Sequence, residues 1–430
     1  MARIVLTTFG TLGDLHPYMA LARELAARRH RPLIATHPFY RARVEDAGIE
    51  FHPVRPDLTD LGDLPDVMRR AMDPERGSEY VARHMVLPSV RLSYEDLLVA
   101  CAGADAIVGH MLTFAAPVVA EKLGVPRIHT MLQPMTLFSA YDPPRVPAFA
   151  GAPWAYRLGP AAWKVLWAMA RMTTRHWMRS VDELRTATGL ARLTGHPMID
   201  GHSPTLNLAL FSPVLAPPQP DWPPHTCVTG FPIYDRDERG EGMSVALREF
   251  LNAGPAPVVF TLGSSGVWAA GEFYGAAAAA AHALGVRAVL LTGPEAGNVP
   301  PRLPAGVLAV DYAPHSELFA RAAAIVHQGG IGTTGQALRS GHPMLVVPFS
   351  HDQPDNAWRC AQLGVARVLR RDAAHASAME RELRVLLGEG SIRERAASVG
   401  AQVRAEHGTQ TAVDAIEAAL GLTSERRANG

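Results

Sequence analysis

A short apolar strand that breaks into a small-residue turn and then a helix occurs three times in this chain, and that unit constrains the fold most. Residues 3–9 run into Gly10-Thr11-Leu12-Gly13 and a helix from about Pro17, with Met19, Leu21, Ala22 and Leu25 at helical spacing. Residues 257–262 run into Gly263-Ser264-Ser265-Gly266 and an alanine-rich helix. Residues 323–327 run into a glycine-rich turn and the start of another helix. Further short apolar runs at 32–36, 50–54, 104–109 and 126–130 read as strands, and 160–190 as a long helix or helix pair carrying Trp163, Trp167 and Trp177. Strands joined through helices pair in parallel, so the sequence predicts an α/β fold built on parallel sheets.

The repeat of the theme implies two lobes. A proline-rich stretch from Ser212 to Pro224, followed by the charged Asp235-Arg236-Asp237-Glu238-Arg239, separates them. Proline fixes φ and removes a backbone donor, which suits a linker rather than a sheet interior. The expected organisation is an N-terminal lobe over 1–215, a linker over 216–245, a C-terminal lobe over 246–407, and a helix with a frayed tail over 408–430. With 48% hydrophobic and 19% charged residues the chain is not disordered, and its 41 basic residues cancel its 41 acidic ones, leaving no net field to draw nucleic acid. Cys101, Cys227 and Cys360 stand far apart without CxxC spacing, so neither a disulfide framework nor a zinc site is expected. No secretory leader is read at the start, and no run approaches the roughly 20 apolar residues that span a bilayer. The expectation is a cytoplasmic protein without stable membrane insertion.

Chemistry concentrates in the third turn, His327-Gln328-Gly329-Gly330-Ile331-Gly332-Thr333-Thr334-Gly335-Gln336. Glycines let a ligand approach the backbone, and N–H groups at a helix start attract anions, so a phosphate is the natural ligand; a tight turn with no ligand has the same sequence. Gly330, Gly332 and Gly335 spell GxGxxG, with Asp352 where a dinucleotide fold places its ribose acid. Against an NAD(P) oxidoreductase stand the location in the second lobe and the polar His327 before the turn.

The run from His327 to Ala357, with His-x-Gly-Gly-x-Gly-Thr, a Gly-x-Pro strand entry and Asp-Gln-x-x-Asn-Ala, resembles the donor-binding segment of family-1 nucleotide-sugar glycosyltransferases. Gly10-Thr11-Leu12-Gly13-Asp14-Leu15-His16-Pro17, Thr229-Gly230-Phe231 and Tyr312-Ala313-Pro314-His315 resemble other fixed points of that family. The resemblance implies a GT-B fold, two Rossmann-like lobes facing a cleft, with donor on the second lobe and acceptor on the first. It further implies inverting transfer from a nucleotide sugar, UDP-glucose first and a dTDP-hexose next, with no cofactor and no metal. His327 with the Gly332 and Thr333 backbone would hold the diphosphate and Gln336 the ribose, with Ser264 and Gly330 also in the donor site. Tyr312 and Ala313 would take the base, and Asp352 and Gln353 the sugar hydroxyls. Packed alternatives exist: Tyr312 as a loop anchor, Asp352-Gln353 as a helix N-cap. Asp235-Arg236-Asp237 matches a metal-binding Asp-x-Asp but reads as a solvated charge run.

For the base, Asp14 stands where many members of the family have His, and His110 where they have the partner carboxylate, so this chain resembles the antibiotic and sterol branch. Asp14 is the first candidate, with His16 and His110 assisting or replacing it, and an Asp14–His110 pair across the cleft is envisaged. Met111, Phe114, Met131, Met135, Phe138 and Tyr141 would line a pocket for an apolar acceptor, phenolic, polyketide or sterol, and Trp163, Trp167 and Arg171 its lip or a membrane-facing surface; core packing is the alternative for all of them. A GT-B epimerase or hydrolase and a non-catalytic partner protein stay open.

Overall fold

The computed structural model describes residues 1–146, 149, 151–234 and 242–422. The first sheet has seven strands: β1 Arg3–Thr7, β2 Arg31–Thr36, β3 Glu50–Pro53, β4 Ala106–His110, β5 Arg127–Met131, β6 Leu206–Ala209 and β7 Thr226–Val228. Their order is β3-β2-β1-β4-β5-β6-β7. The second has six: β8 Val258–Thr261, β9 Ala288–Leu291, β10 Val307–Val310, β11 Ala324–His327, β12 Met344–Val346 and β13 Ala366–Val368, ordered β10-β9-β8-β11-β12-β13. Every recorded pairing is parallel. The central strands are apolar on both faces because helices cover both. Ile4, Leu6, Val108 and Ile128 form one side of the first sheet and Val5, Leu33 and Ile107 the other. The fold is therefore α/β with two Rossmann-like lobes.

The segment read as linker is not all linker. Its middle forms β7, which pairs with β6 and extends the first sheet, while the segment leading out carries Phe231 into the second lobe's core beside Ala337 and Leu338. The charged 235–239 and the tail from Ser424 lie outside the described residues. Near the C-terminus, helix Gly408–Ala419 returns to the first lobe: Ala412, Val413 and Ile416 pack with Ile4 and Leu6, and Glu417 meets Arg28 at 2.9 Å and His30 at 2.9 Å.

Helix α1, Leu12–Ala27, starts five residues before the expected Pro17, which lies inside it. Thr11 is its N-cap, and the Asp14 carboxylate accepts the Thr11 backbone N–H at 2.7 Å, so the local polar residues rather than the proline fix the start. Residues 160–190 form a helix pair, Pro160–Thr174 and Arg179–Ala187. Trp163 and Trp167 are buried against Phe138, Phe149 and Tyr156 in a local aromatic core, so they form neither a pocket lip nor a membrane-facing surface. Among the described residues no helix is long and apolar enough to cross a membrane.

Candidate active site

In each sheet the strand order reverses once, between β1 and β4 in the first and between β8 and β11 in the second. Loops leaving the two strands at such a point diverge, opening a crevice at their carboxyl ends. All three small-residue turns of the sequence lie there. The lobes bring their crevices together: a Cβ on Gly332, at the start of helix α2 (Ile331–Ser340), would stand 3.8 Å from the Cα of Gly13 in α1. Two helix N-termini thus face one cleft, and their partial positive ends suit an anion.

Asp14 sits between them. Gly10 has φ +139°, and any Cβ there would overlap the Asp14 carboxylate, so only glycine lets the side chain fold back over the turn. The carboxylate is 26% exposed, and burial pushes its pKa up to about 6. His110 Nε2, at the end of β4, lies 3.8 Å from Asp14 Oδ1. The pair expected across the cleft therefore forms within the first lobe, because β1 and β4 are adjacent strands. Burial holds His110 down at about 4, neutral, and neither ring nitrogen has a hydrogen-bond partner among the described residues. His16 faces other groups: its ring centroid is 5.3 Å from Tyr234 and its Nε2 is 3.5 Å from the Arg43 guanidinium. Burial, with Arg43 and His315 adding to it, pushes His16 to about 3, which makes it a poor proton acceptor.

On the second lobe, His327 is fully buried at the end of β11. Its Nδ1 accepts the Gly329 N–H at 3.1 Å and its Nε2 lies 3.4 Å from Met344 Sδ, so both nitrogens face its own lobe and not a phosphate. The neighbour that sequence reasoning passed over, Gln328, is itself buried, and its side chain fills the space between the two turns. Its amide nitrogen lies 2.3 Å from where a Cβ of Gly263 would be and 2.9 Å from where a Cβ of Gly330 would be, and its Oε1 is buried without a partner among the described residues. The loop holding Ser264 and the glycine-rich turn thus close around one amide. Thr333, at the open end of α2, faces Gly263 across 3.4 Å measured from that same Cβ position. Gly335, the last glycine of GxGxxG, answers to packing: a Cβ there would stand 2.9 Å from the Phe231 ring. Gln336 is buried one turn into α2, Ala313 is buried, and Tyr312 is 43% exposed.

Asp352 is the N-cap residue of helix α3 (Gln353–Gln362), yet its side chain does not cap that helix. Its Oδ2 accepts the Ile331 N–H at 3.2 Å and the Asn356 amide at 2.6 Å. Burial pushes its pKa up to about 7, and the charge of Asp14 adds to the shift across the cleft. Gln353 is committed to structure: its Oε1 accepts the N–H groups of Phe349 and Ser350 at 2.8 and 3.2 Å. Two first-lobe segments clamp this stretch. Met72 inserts among Val258, Phe260 and Phe349, and Ser78 Oγ meets His351 Nδ1 at 2.9 Å. The Arg145 N–H reaches Asp355 at 2.9 Å while Arg359 pairs with Asp142 at 2.6 Å.

The residues expected to line an acceptor pocket do not stay together. Met111 and Phe114 line a cavity of about 670 Å³ beginning at His110. Met131 is fully buried in the core that joins the lobes, Phe138 packs on the aromatic cluster of the helix at 160–174, and Tyr141 is exposed with Lys164 5.5 Å above its ring. Met135, in the short turn after β5, is half-buried.

Comparison with known proteins fits this geometry. Residues 4–141 match the glycosyltransferase family 28 N-terminal domain, and residues 284–419 the erythromycin biosynthesis protein CIII-like C-terminal domain. The O-mycaminosyltylonolide 6-deoxyallosyltransferase of Streptomyces fradiae is 31% identical over 424 residues, covering 96% of this chain and 97% of its own. A sterol 3-beta-glucosyltransferase of Cryptococcus neoformans var. neoformans is 30% identical over 448 residues and 96% of this chain, which spans 27% of that longer protein. Among solved structures, a calicheamicin glycosyltransferase superposes with a TM-score of 0.72 at 20% identity, covering 98% of each chain. The glycosyltransferase VinC in complex with dTDP gives 0.68 at 22% identity, over 97% of this chain and 99% of its own. The chain belongs to the family-1-like glycosyltransferases of the GT-B fold, and it is an enzyme of that class.

Proposed function

We propose that this protein moves a hexose or deoxyhexose from a nucleoside diphosphate sugar, UDP-glucose first and a dTDP-hexose as its competitor, to a hydroxyl of an apolar acceptor. Transfer proceeds with inversion and without a metal. The observation that carries this reading is the meeting of the two crevices, which sets a shielded carboxylate, Asp14, opposite an anion-suited turn. The diphosphate lies on the Gly332 and Thr333 N–H groups and the Gln328 amide, with Ser264 at its edge, and these donors gain strength as charge develops on the leaving group. Tyr312 and Ala313 take the base and Gln336 the ribose. Asp352, tied through one oxygen, offers the other to a sugar hydroxyl. Asp14 removes the acceptor proton: a carboxylate raised to about 6 is a better base than an ordinary one and is still ionised at pH 7. His110, 3.8 Å from Asp14 and without a hydrogen-bond partner among the described residues, is placed to share that proton. The names of the relatives support the reading: one transfers a deoxyhexosyl group and the other glucose to a sterol.

The test is calorimetric titration of UDP and dTDP with chelator present, followed by mass spectrometry of a phenolic, polyketide and sterol acceptor set. Binding of either nucleotide with a glycosylated product supports the reading. Release of free sugar without dependence on acceptor replaces it with a hydrolase, and binding of NADH in place of both nucleotides replaces it with an oxidoreductase.

A further inference from the structure

The 670 Å³ cavity beside His110 is of the size that holds a drug-sized molecule. It runs from His110 and Met111 at the carboxyl end of β4 back to Arg127, His202 and Thr205 at the opposite ends of β5 and β6. Its walls are mixed: Met111, Phe114, Pro117, Val118, Val181 and Leu193 on one hand, His129, His196, His202 and Arg127 on the other.

The charges around it do not balance. Glu121 is paired with Arg185 at 2.7 Å, and Asp200 with Arg171 at 2.9 Å and the His196 N–H at 2.8 Å. Arg127 has no carboxylate in ion-pair range among the described residues. Its guanidinium donates to the carbonyls of Gly201 and His202, at 2.8 Å each, and lies 3.4 Å from His129 Nδ1. Burial alone pushes it down to about 10, so it is still charged at neutral pH. His202 is held near 4 and His129 is lowered as well, so the imidazoles are neutral, and His202 Nδ1 is buried without a partner. A half-buried cation with no carboxylate partner among the described residues favours an anionic guest, and the apolar walls favour one with a greasy body.

We propose that this cavity receives the acceptor and that the acceptor is an apolar hydroxy acid whose carboxylate pairs with Arg127 while its hydroxyl reaches the His110 end of the cavity, beyond which Asp14 stands 3.8 Å from the imidazole. The register gives the scale. Arg127 pairs with Ile107 and Thr130 with His110, so the backbone positions of the two ends stand three residues apart along the strands, about 10 Å. That the acid is an acceptor rests on the transferase reading; that the cavity binds it does not.

A rigid probe with a hydroxyl and a carboxylate about that far apart is 4′-hydroxybiphenyl-4-carboxylate, and its carboxamide is the neutral control. Binding of each is measured by calorimetry, alone and after saturation with UDP or dTDP. The wild-type chain binds the acid at least about 10-fold more tightly than the amide, the worth of one charged contact in a shielded site. Arg127→Gln removes that ratio while leaving amide binding in place, and Arg127→Lys keeps part of it. Equal binding of acid and amide to the wild type, or a ratio that survives Arg127→Gln, overturns the inference, and the first of these needs no variant to fold. If neither nucleotide binds while the acid preference stands, the transferase reading falls and the acid site remains. If a nucleotide binds and the preference is absent, only the acid site falls.

Discussion

Replacing Asp14 by Asn changes one atom at the centre of the cleft. The variant keeps an oxygen for the Thr11 N–H, the bond of 2.7 Å that starts α1, so the loss of stability stays within about 1 kcal/mol, the usual worth of a helix cap. What it loses is the base. A positioned general base is worth about 10²–10⁴ in rate, or roughly 3–5.5 kcal/mol of barrier at 1.36 kcal/mol per decade. Turnover at saturating donor and acceptor should fall by that factor, while affinity for UDP or dTDP, held on the other lobe, stays within about threefold. The pH profile gives a second readout. Asp14 is ionised above about 6, so wild-type turnover climbs through that value and then levels, and the residual rate of Asp14→Asn shows no step there. The reasoning is refuted if the variant keeps more than about a tenth of the wild-type rate. It is equally refuted if His110→Ala abolishes transfer while Asp14→Asn does not, since the proton then goes to the imidazole.

Stability should report Asp352 directly. Its folded pKa of about 7 lies above the ordinary 3.8, so the folded chain holds a proton that the unfolded chain releases; stability is greatest below about 4 and declines as pH rises to about 7, and urea titrations should show that slope diminish in Asp352→Asn. Gly335→Ala drives a methyl into Phe231 and should cost about 1–3 kcal/mol in a melt, with part recovered when Phe231 is also reduced to Leu. Met72→Ala empties a site that a first-lobe residue fills in the second lobe's core. We expect a loss of about 2–5 kcal/mol where the lobes melt as one unit, or a weaker hold on the nucleotide where they separate first.

Periodicity made the two sheets legible, because parallel strands are buried on both faces and their apolar runs stand out between turns. The start of α1 was misjudged because Pro17 is a louder signal than Thr11 and Asp14, although the polar pair does the capping. In the glycine-rich turn the residue type pointed to His327. Packing decides against it, since both His327 nitrogens turn into the second lobe while the amide of the next residue, Gln328, lies between the Gly263 and Gly330 turns. Met131 and Phe138 show the same limit from the other side: an apolar residue near a strand end fits a pocket wall and a core equally well, and only packing separates them. Nothing local marked Met72, whose burial depends on a lobe that follows it by nearly two hundred residues. Arg127 carried no mark either, for an unpaired cation is defined by the carboxylates that fail to reach it.

The account turns on one carboxylate acting on a sugar held by the opposite lobe. The most direct measurement follows a single reaction mixture by mass spectrometry: the full chain, UDP-glucose and a dTDP-hexose, chelator, and the mixed acceptor set, run with wild type and with Asp14→Asn. The account predicts one hexosyl unit added to an acceptor, one equivalent of nucleoside diphosphate released per product, and a loss of about 10²-fold or more in the variant. Free sugar appearing without glycosylated acceptor, or equal product from the two proteins, would contradict it.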